Sequence, residues 1–148
     1  MCDFNNINFE LIVGNDQQIK KLYQLLKERL YSISHKELPE FRKHKKFVLN
    51  SPYRFWYLIQ SSDGVFGAFY IKFDNSVGLN LKFNDQLLLE KVIEFIRSEL
   101  SPMPAKDSVT PDYFYINVSS KNVDLLDLFD EIGICRLQVS FKVEESVS

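Results

Sequence analysis

Two tyrosines in one predicted strand have the residue type and spacing for proton chemistry. Tyr113 and Tyr115 stand in the run YFYINVS, and alternate residues of a strand share a face. A phenol hydroxyl held at a reacting centre can donate a proton to a leaving group. Packing of two half-buried rings is the competing interpretation and the commoner role of such residues.

The other reactive side chains do not form a catalytic or metal-ligating pattern. His35 and His44 lack the partners of a metal site or a nucleophile–base pair, and Cys2 and Cys135 lack ligand spacing. The basic run EFRKHKKF, Glu40–Phe47, could meet an acidic ligand. A solvated helix face is the favoured interpretation of such a run. We therefore expect no metal site.

A very short turn joins a predicted strand to a predicted helix. Only Asn84 and Asp85 separate the strand Val77–Phe83 from the helix Gln86–Leu100. Asn84 is predicted to cap the helix, and Asp85 in the first turn suits the helix dipole. No glycine lies between Gly78 and Gly133. This turn is suited to completing a helix locally, and less suited to binding an anion.

The hydrophobic pattern predicts ten elements in the order β-α-α-β-β-β-α-β-α-β. Asn15 is expected to cap the first helix, with Ile19, Leu22, Leu26 and Leu30 at helical spacing. A meander followed by a strand–helix–strand crossover implies a mixed sheet with helices on both faces. The predicted strands are Ile7–Val13, Arg54–Gln60, Val65–Phe73, Val77–Phe83, Tyr113–Ser119 and Cys135–Val143. The later helices are predicted around Glu40–Leu49, at Gln86–Leu100 and within residues 121–134.

Bulk composition indicates an ordinary globular protein. The 148 residues predict one domain, residues 1–148, with 45% hydrophobic and 14% aromatic residues to build its core. A net charge of −2 gives no attraction to nucleic acid or to an anionic membrane. The N-terminus lacks the pattern of a secretory signal, and no apolar run is long enough to span a bilayer. We expect a cytoplasmic protein with reduced thiols.

The element order resembles the GNAT superfamily of N-acetyltransferases, and one local motif is more specific. NVDLLDLFDEIGI, Asn122–Ile134, is similar to the family's late-helix motif N-x-x-A-x-x-L-Y-E-K-x-G-F. Asn122, Leu128 and Gly133 match its Asn, Leu and Gly. The resemblance implies an α/β (α+β) fold with a mixed, mostly antiparallel central sheet. An ordinary amphipathic helix with Asn122 as cap and Gly133 as C′ residue explains the same segment.

The resemblance implies acetyl-CoA or another acyl-CoA as donor. The family places a Gly-rich loop at the turn that Asn84 and Asp85 occupy here, because glycines let backbone N–H groups approach the pyrophosphate. Its loss predicts weak donor binding. Backbone N–H groups near Leu79–Leu81 can still polarise a thioester carbonyl. The residues expected to contact the donor are Leu79, Asn80, Leu81, Asn84, Asn117 and Asn122.

The resemblance also puts the proton chemistry in doubt. The family's acidic Tyr corresponds to Phe129, which cannot donate a proton, so Tyr113 or Tyr115 would have to replace it. Gly78 marks either a bulge or a close-packed strand position, and close packing is favoured.

Two functions remain open at this point. One is a GNAT-related N-acyltransferase-like protein acting on a small amine, such as an amino sugar, with an acyl-CoA donor. The other is a catalytically inactive GNAT-fold domain for binding or assembly. The expected partners are a small amine and, as alternatives, a second copy of the chain or another protein. Nucleic acid and membrane are not expected partners.

Overall fold

The computed structural model describes residues 4–29 and 37–144, which form five strands and four helices around one sheet. His35 and Cys2 lie outside the described residues. The strands are β1 Asn8–Leu11, β2 Phe55–Ser61, β3 Gly64–Ile71, β4 Ser76–Leu81 and β5 Tyr115–Asn117. The helices are α1 Asp16–Glu28, α2 Phe41–Leu49, α3 Gln86–Glu99 and α4 Val123–Glu131.

The sheet has the order β1-β2-β3-β4-β5 and is mixed, as predicted. Strands β1 to β4 pair antiparallel, and β4 pairs with β5 parallel. The turn at Gly64, where φ is +128°, closes the β2–β3 hairpin. The crossover through α3 produces the parallel pair, because antiparallel neighbours need only a short turn.

Helices cover both faces of the sheet. On one face, Leu58 and Ala68 pack against Ile19, Leu22 and Leu25 of α1. On the other face, the strands pack against α3, whose residues Leu88, Leu89, Val92, Ile93 and Ile96 are all buried as their spacing predicts. Trp56 and Tyr57 pack on opposite faces of the sheet, as consecutive residues of a strand do.

The start of α1 is fixed by the side chains of Asn15, the predicted cap, and Gln18. The side-chain oxygen of Asn15 accepts a hydrogen bond from the N–H of Gln18 at 2.9 Å. Gln18 reaches back further than a capping box requires, and its Oε1 accepts from the N–H groups of Val13 and Gly14. These bonds satisfy donors that would otherwise be buried without partners near the helix end.

His44 joins α2 to α1. Its side chain is buried, and its Nε2 lies 3.0 Å from the carbonyl oxygen of Ile19. A carbonyl only accepts, so Nε2 carries the hydrogen. Burial among the rings of Tyr23 and Phe41 lowers the pKa of His44. The neighbouring basic residues of the helix are exposed, which confirms a solvated face for that run.

Helix α4 ends as predicted at Gly133, which has φ +83°. The N–H of Gly133 donates to the oxygen of Asp130, and the N–H of Ile134 donates to the oxygen of Phe129 at 3.0 Å. This pair of bonds is a Schellman motif. It directs the side chain of Ile134 back onto the cluster formed by α3 and α4.

The last predicted strand, Cys135–Val143, is wrong. Residues 135–144 form no strand and pair with no part of the sheet in the described chain. The alternation of apolar residues is typical of a strand, but a strand also needs a neighbouring strand to satisfy the hydrogen bonds of its backbone. Within the residues that the structure describes, no helix has the length and apolar character needed to cross a membrane.

We expect the stability of the protein to fall below pH 6.5 through His44. Because the folded-state pKa is lowered, the unfolded chain takes up the proton first as pH falls. The contribution of His44 is therefore fully present above the ordinary pKa of about 6.5 and is lost below it. Between pH 7.5 and pH 5.5, the melting temperature should fall further in the wild type than in His44→Gln. Lys43→Gln, an exposed neighbour, should keep the wild-type difference; an equal fall in all three proteins would contradict this role.

Candidate functional site

A groove lies where the ends of α1, β4 and α4 meet, and we refer to it as the β4 groove. Its cavity volume is about 140 Å³. It is lined by Leu25, Glu28, Arg29, Leu79, Asn80, Leu81, Lys82, Asn84, Asn122 and Leu125. Five of the six residues predicted to contact a donor are therefore in one groove. The sixth, Asn117, lies on β5 opposite Gly78 and is exposed.

The β4 groove exists because β4 continues past the last residue that pairs with β5, its parallel neighbour. The ladder between β4 and β5 stops at Gly78 and Asn117, whereas β4 continues to Leu81. The N–H of Lys82 donates to the oxygen of Phe66 on β3. Backbone groups alternate between the two edges of a strand, so those of Leu81 point to the open side.

The strand-to-helix turn completes its helix with Asp85. Its carboxylate accepts from the N–H of Leu88 at 3.1 Å, so Asp85 is the N-cap of α3. The prediction that Asn84 would be the cap is wrong by one residue, because Asn84 points across the groove. Its Nδ2 donates to Oδ1 of Asn122 at 3.3 Å. The same oxygen of Asn122 accepts from Leu125 N–H and caps α4.

An ion pair also lines the groove. Lys82 Nζ lies 3.2 Å from the carboxylate of Glu28, so the end of β4 is tied to the end of α1. Gln24 also donates to Glu28 at 3.0 Å. Hydrogen bonds from Gln24 and Lys82 lower the pKa of Glu28. Both charged side chains are more than a third exposed, so the pair adds little stability but places charge in the groove.

Four further residues line the groove that were not predicted from the sequence: Leu25, Glu28, Arg29 and Lys82. Lys82 carried a weak signal, since it is the last cation before Lys91 and immediately follows β4. Glu28 carried none, because a Glu near the end of an amphipathic helix is ordinary. Only folding brings these positions together across 54 residues of chain.

Aromatic rings cover the sheet beside the groove. The rings of Tyr53 and Tyr70 stack at 3.9 Å, and Trp56 contacts Tyr53 edge-on at 4.9 Å. Tyr70 lies directly over Gly78, and an added Cβ there would overlap its ring. Gly78 is therefore a close-packed position, and the β3–β4 register is regular there. Burial raises the pKa of Tyr53, so its hydroxyl stays protonated.

The two candidate tyrosines lie at the other end of β4. Tyr115 pairs with Ser76 at the start of that strand. Burial and the charge of Asp74 raise the pKa of the Tyr115 hydroxyl. Tyr113 precedes β5 and is half exposed. Neither residue lines the β4 groove, and their catalytic role stays a prediction.

Phe129 is a core residue. It is 8% exposed and packs with Leu89, Ile93 and Leu125 between α3 and α4. His44 likewise holds helices together and does not line the groove. Within residues 4–29 and 37–144 there is no group of three metal-ligating side chains.

Three solved structures match this chain over nearly its whole length. One is a possible acetyltransferase from Clostridium difficile 630, with 12% identity, a TM-score of 0.55 and coverage of 97% of this chain and 100% of that one. The second is the N-acetyltransferase PseH of Campylobacter jejuni, with 15% identity, a TM-score of 0.56 and coverage of 90% and 91%. The protein has the GNAT fold.

A third match extends the comparison. It is the aminoglycoside acetyltransferase meta-AAC0020 from an uncultured soil metagenomic sample, in complex with sisomicin. Its identity is 12%, its TM-score 0.51, and the match covers 97% of this chain and 98% of that one. No protein-family model and no curated protein matches the sequence. At these identities the likeness establishes the GNAT fold alone.

An acyl-CoA, the donor that this fold family uses, fits the groove in part. The open edge of β4 at Leu81 suits the amides and thioester of the donor arm, since it offers backbone groups to an extended chain. The turn suits the pyrophosphate poorly. The carboxylate of Asp85 accepts a hydrogen bond from an N–H of the first turn of α3, so that N–H is no longer open to a phosphate. The charge of the carboxylate also repels a phosphate.

We expect Phe129→Tyr to lower the melting temperature and to create no activity. The new hydroxyl enters an apolar cluster, where an unpartnered donor costs roughly 1–3 kcal/mol. For a chain of this length that is about 3–10 °C. Tyr113→Phe, which removes an exposed hydroxyl, should leave the melting temperature nearly unchanged. A faster thiol release by Phe129→Tyr at constant melting temperature would instead show that the ring reaches the groove.

Proposed function

We propose that the protein is a GNAT-related N-acyltransferase that transfers an acyl group from a weakly held acyl-CoA to a small amine, such as an amino sugar. The observation that carries the proposal is the open edge of β4 from Leu79 to Leu81, which lines the groove between α1 and α4. That edge supplies directed backbone groups next to a carboxylate and two side-chain amides. Such a combination suits the joining of a thioester and an amine.

The donor side of the groove is built from backbone. An acyl-CoA supplies an activated thioester carbonyl when bound. The backbone of Leu79 and Leu81 binds the extended donor arm, and the N–H of Leu81 donates to the carbonyl on which charge develops. Asn84 and Asn122, joined at 3.3 Å, flank the path of that arm. Binding of the arm exchanges this amide–amide bond for bonds to the donor.

The acceptor side of the groove is built from Glu28. Its carboxylate stays ionised because Gln24 and Lys82 hydrogen-bond to it, so it attracts an ammonium group. Low basicity makes Glu28 better suited to binding and orienting the amine than to removing its proton. The ammonium would first release one proton to water, and the neutral nitrogen would then attack the thioester carbon. As the C–S bond breaks, the leaving thiolate would take up the second proton from that nitrogen. Asn80, on the β4 segment of the groove, can hydrogen-bond a hydroxyl of the acceptor.

An amino sugar combines the groups that this surface can bind. Its ammonium suits Glu28, and its hydroxyls suit the side chains of Asn80 and Asn84. The matched aminoglycoside acetyltransferase in complex with sisomicin supports this acceptor class by fold likeness. The identity is low, so the groove residues of this chain carry the argument.

An inactive GNAT-fold domain for binding or assembly is the second candidate. Two observations favour it. Asp85 occupies a position where a phosphate would need an open N–H, and Phe129 is buried where the family's acid would stand. In that case the groove would bind a small ligand without turning it over.

We expect acetyl-CoA to bind with a dissociation constant above roughly 100 μM in a calorimetric titration. Two missing charge-assisted phosphate contacts at about 1.5–3 kcal/mol each reduce affinity by at least about a hundredfold. Asp85→Asn keeps a cap but removes the charge, and it should tighten binding several-fold. Asp124→Asn, in the first turn of α4, is the matched control and should not change it. Low-micromolar binding to the wild type would mean that another loop holds the phosphates.

A panel of amines tests transfer itself. Thiol release at saturating acetyl-CoA should be measured with amino sugars, polyamines and amino acids. If Glu28 binds the ammonium, Glu28→Gln should raise KM for the accepted amine by roughly tenfold or more, with a smaller effect on kcat. Glu90→Gln is the control, since Glu90 has the same bond from a Gln four residues earlier but lies outside the groove. Absence of turnover with every amine, together with weak donor binding, would support the inactive alternative.

A further inference from the structure

Residues 135–144 follow α4 and alternate apolar with polar side chains, and we call them the C-terminal arm. Its apolar side chains are largely exposed: Leu137 64%, Val139 67%, Phe141 85% and Val143 98%. The residues between them are polar: Arg136, Gln138, Ser140 and Lys142. Strict alternation over this length is the pattern of a strand with one buried face.

Among the residues that the structure describes, the arm pairs with no strand of its own sheet. Its hydrogen bonds and ion pairs in the described chain are all local: Arg136 with Asp130, Gln138 with Ser140, and Lys142 with Glu144. A lone strand with four exposed apolar residues is unstable in water, because neither its backbone nor its apolar face is covered. Such a segment requires a sheet edge.

The sheet offers a matching edge at β5. The N–H of Tyr115 donates to the oxygen of Asn75 on the β4 side. Backbone groups alternate, so the N–H and C=O of Ile116 face away from β4, where the described chain provides no further strand. The side chains of Ile116 and Val118 belong to the same cluster as Ile134, from which the arm departs. The root of the arm therefore lies close to this edge.

We propose that the C-terminal arm pairs with the free edge of β5 of a second copy of this chain, in a reciprocal exchange. The first residues of the arm are held against the end of α4 by the Ile134–Phe129 backbone bond and by two hydrogen bonds from Arg136 to Asp130. From there the arm projects into solvent and does not run along its own β5. A two-fold axis near Ile134, where the arm begins, would bring the arm of each chain to the β5 edge of the other chain.

The proposed exchange gives a closed dimer of ordinary size. An isologous contact uses the same arm and edge twice and cannot extend into a filament. Stable interfaces bury about 800 Å² per partner. Each chain would insert the four large apolar side chains of its arm and would cover four from its partner. Together with the strand backbone, these side chains bury an area of that order. The proposal does not depend on acyl transfer, since neither the arm nor the edge lines the β4 groove.

Matched arm variants test the proposal by light scattering across a dilution series. The wild type should have twice the mass of one chain at micromolar concentration. Val139→Glu with Phe141→Glu places charge on the apolar side, and the dimer dissociation constant should rise by at least about 100-fold. Gln138→Glu with Ser140→Glu adds the same charge to the polar side and should leave the dimer intact. A monomeric wild type, or a dimer unaffected by the first variant, would overturn the proposal.

Amide hydrogen exchange locates the contact. The N–H of Ile116 should be protected in the wild type and exposed in the apolar-side variant, whereas Val92 in α3 should stay protected in both and so report an intact fold. If the apolar-side variant unfolds, a chain ending at Arg136 replaces it in both measurements. A dimer without protection at Ile116 would place the interface elsewhere. A monomer with Ile116 protected would show that the arm folds onto its own sheet. Either result contradicts the exchange.

Discussion

The candidate site depends on the point at which the parallel pairing of β4 with β5 stops. Pairing covers Ser76 to Gly78, and β4 then continues alone to Leu81. Unpaired backbone groups need partners, so the extension presents a binding edge to the groove. Gly78 sets the close packing at this point, because the ring of Tyr70 lies on it and leaves no room for a side chain.

Two charged features lie in and next to the groove. The Glu28–Lys82 ion pair lines it, and Asp85, which caps α3, directly follows the groove residue Asn84. The carboxylate of Glu28 is already paired with Lys82, so an ammonium acceptor would have to share it with that lysine. The carboxylate of Asp85 already accepts the N–H of Leu88 and repels a phosphate, so the pyrophosphate of an acyl-CoA would meet an occupied helix start. The proposed function therefore assigns the amine to Glu28 and predicts weak binding of the donor.

The late helix shows how structural and functional interpretations of one motif can both apply. Asn122 caps α4 with the oxygen that also accepts from Asn84 across the groove. Gly133 ends the helix, and Phe129 fills the space between α3 and α4. Three motif positions thus have full structural explanations, and Asn122 alone also lines the groove. This division explains why the motif could indicate a fold without identifying an activity.

Local patterns in the sequence determined most elements, because their causes act over a few residues. Helical spacing identified the buried face of α3, and Asn15 and Gly133 marked helix ends. Five of the residues that line the groove were named from the family resemblance, which local patterns alone do not supply. Tertiary structure decided what depends on distant neighbours. The ion pair of Glu28 and Lys82 joins positions that no local rule connects, and the choice between Asn84 and Asp85 as cap followed from the reach of Asn84 to Asn122. The arm shows the same limit: its alternation specifies a strand, but only a neighbouring edge can make one.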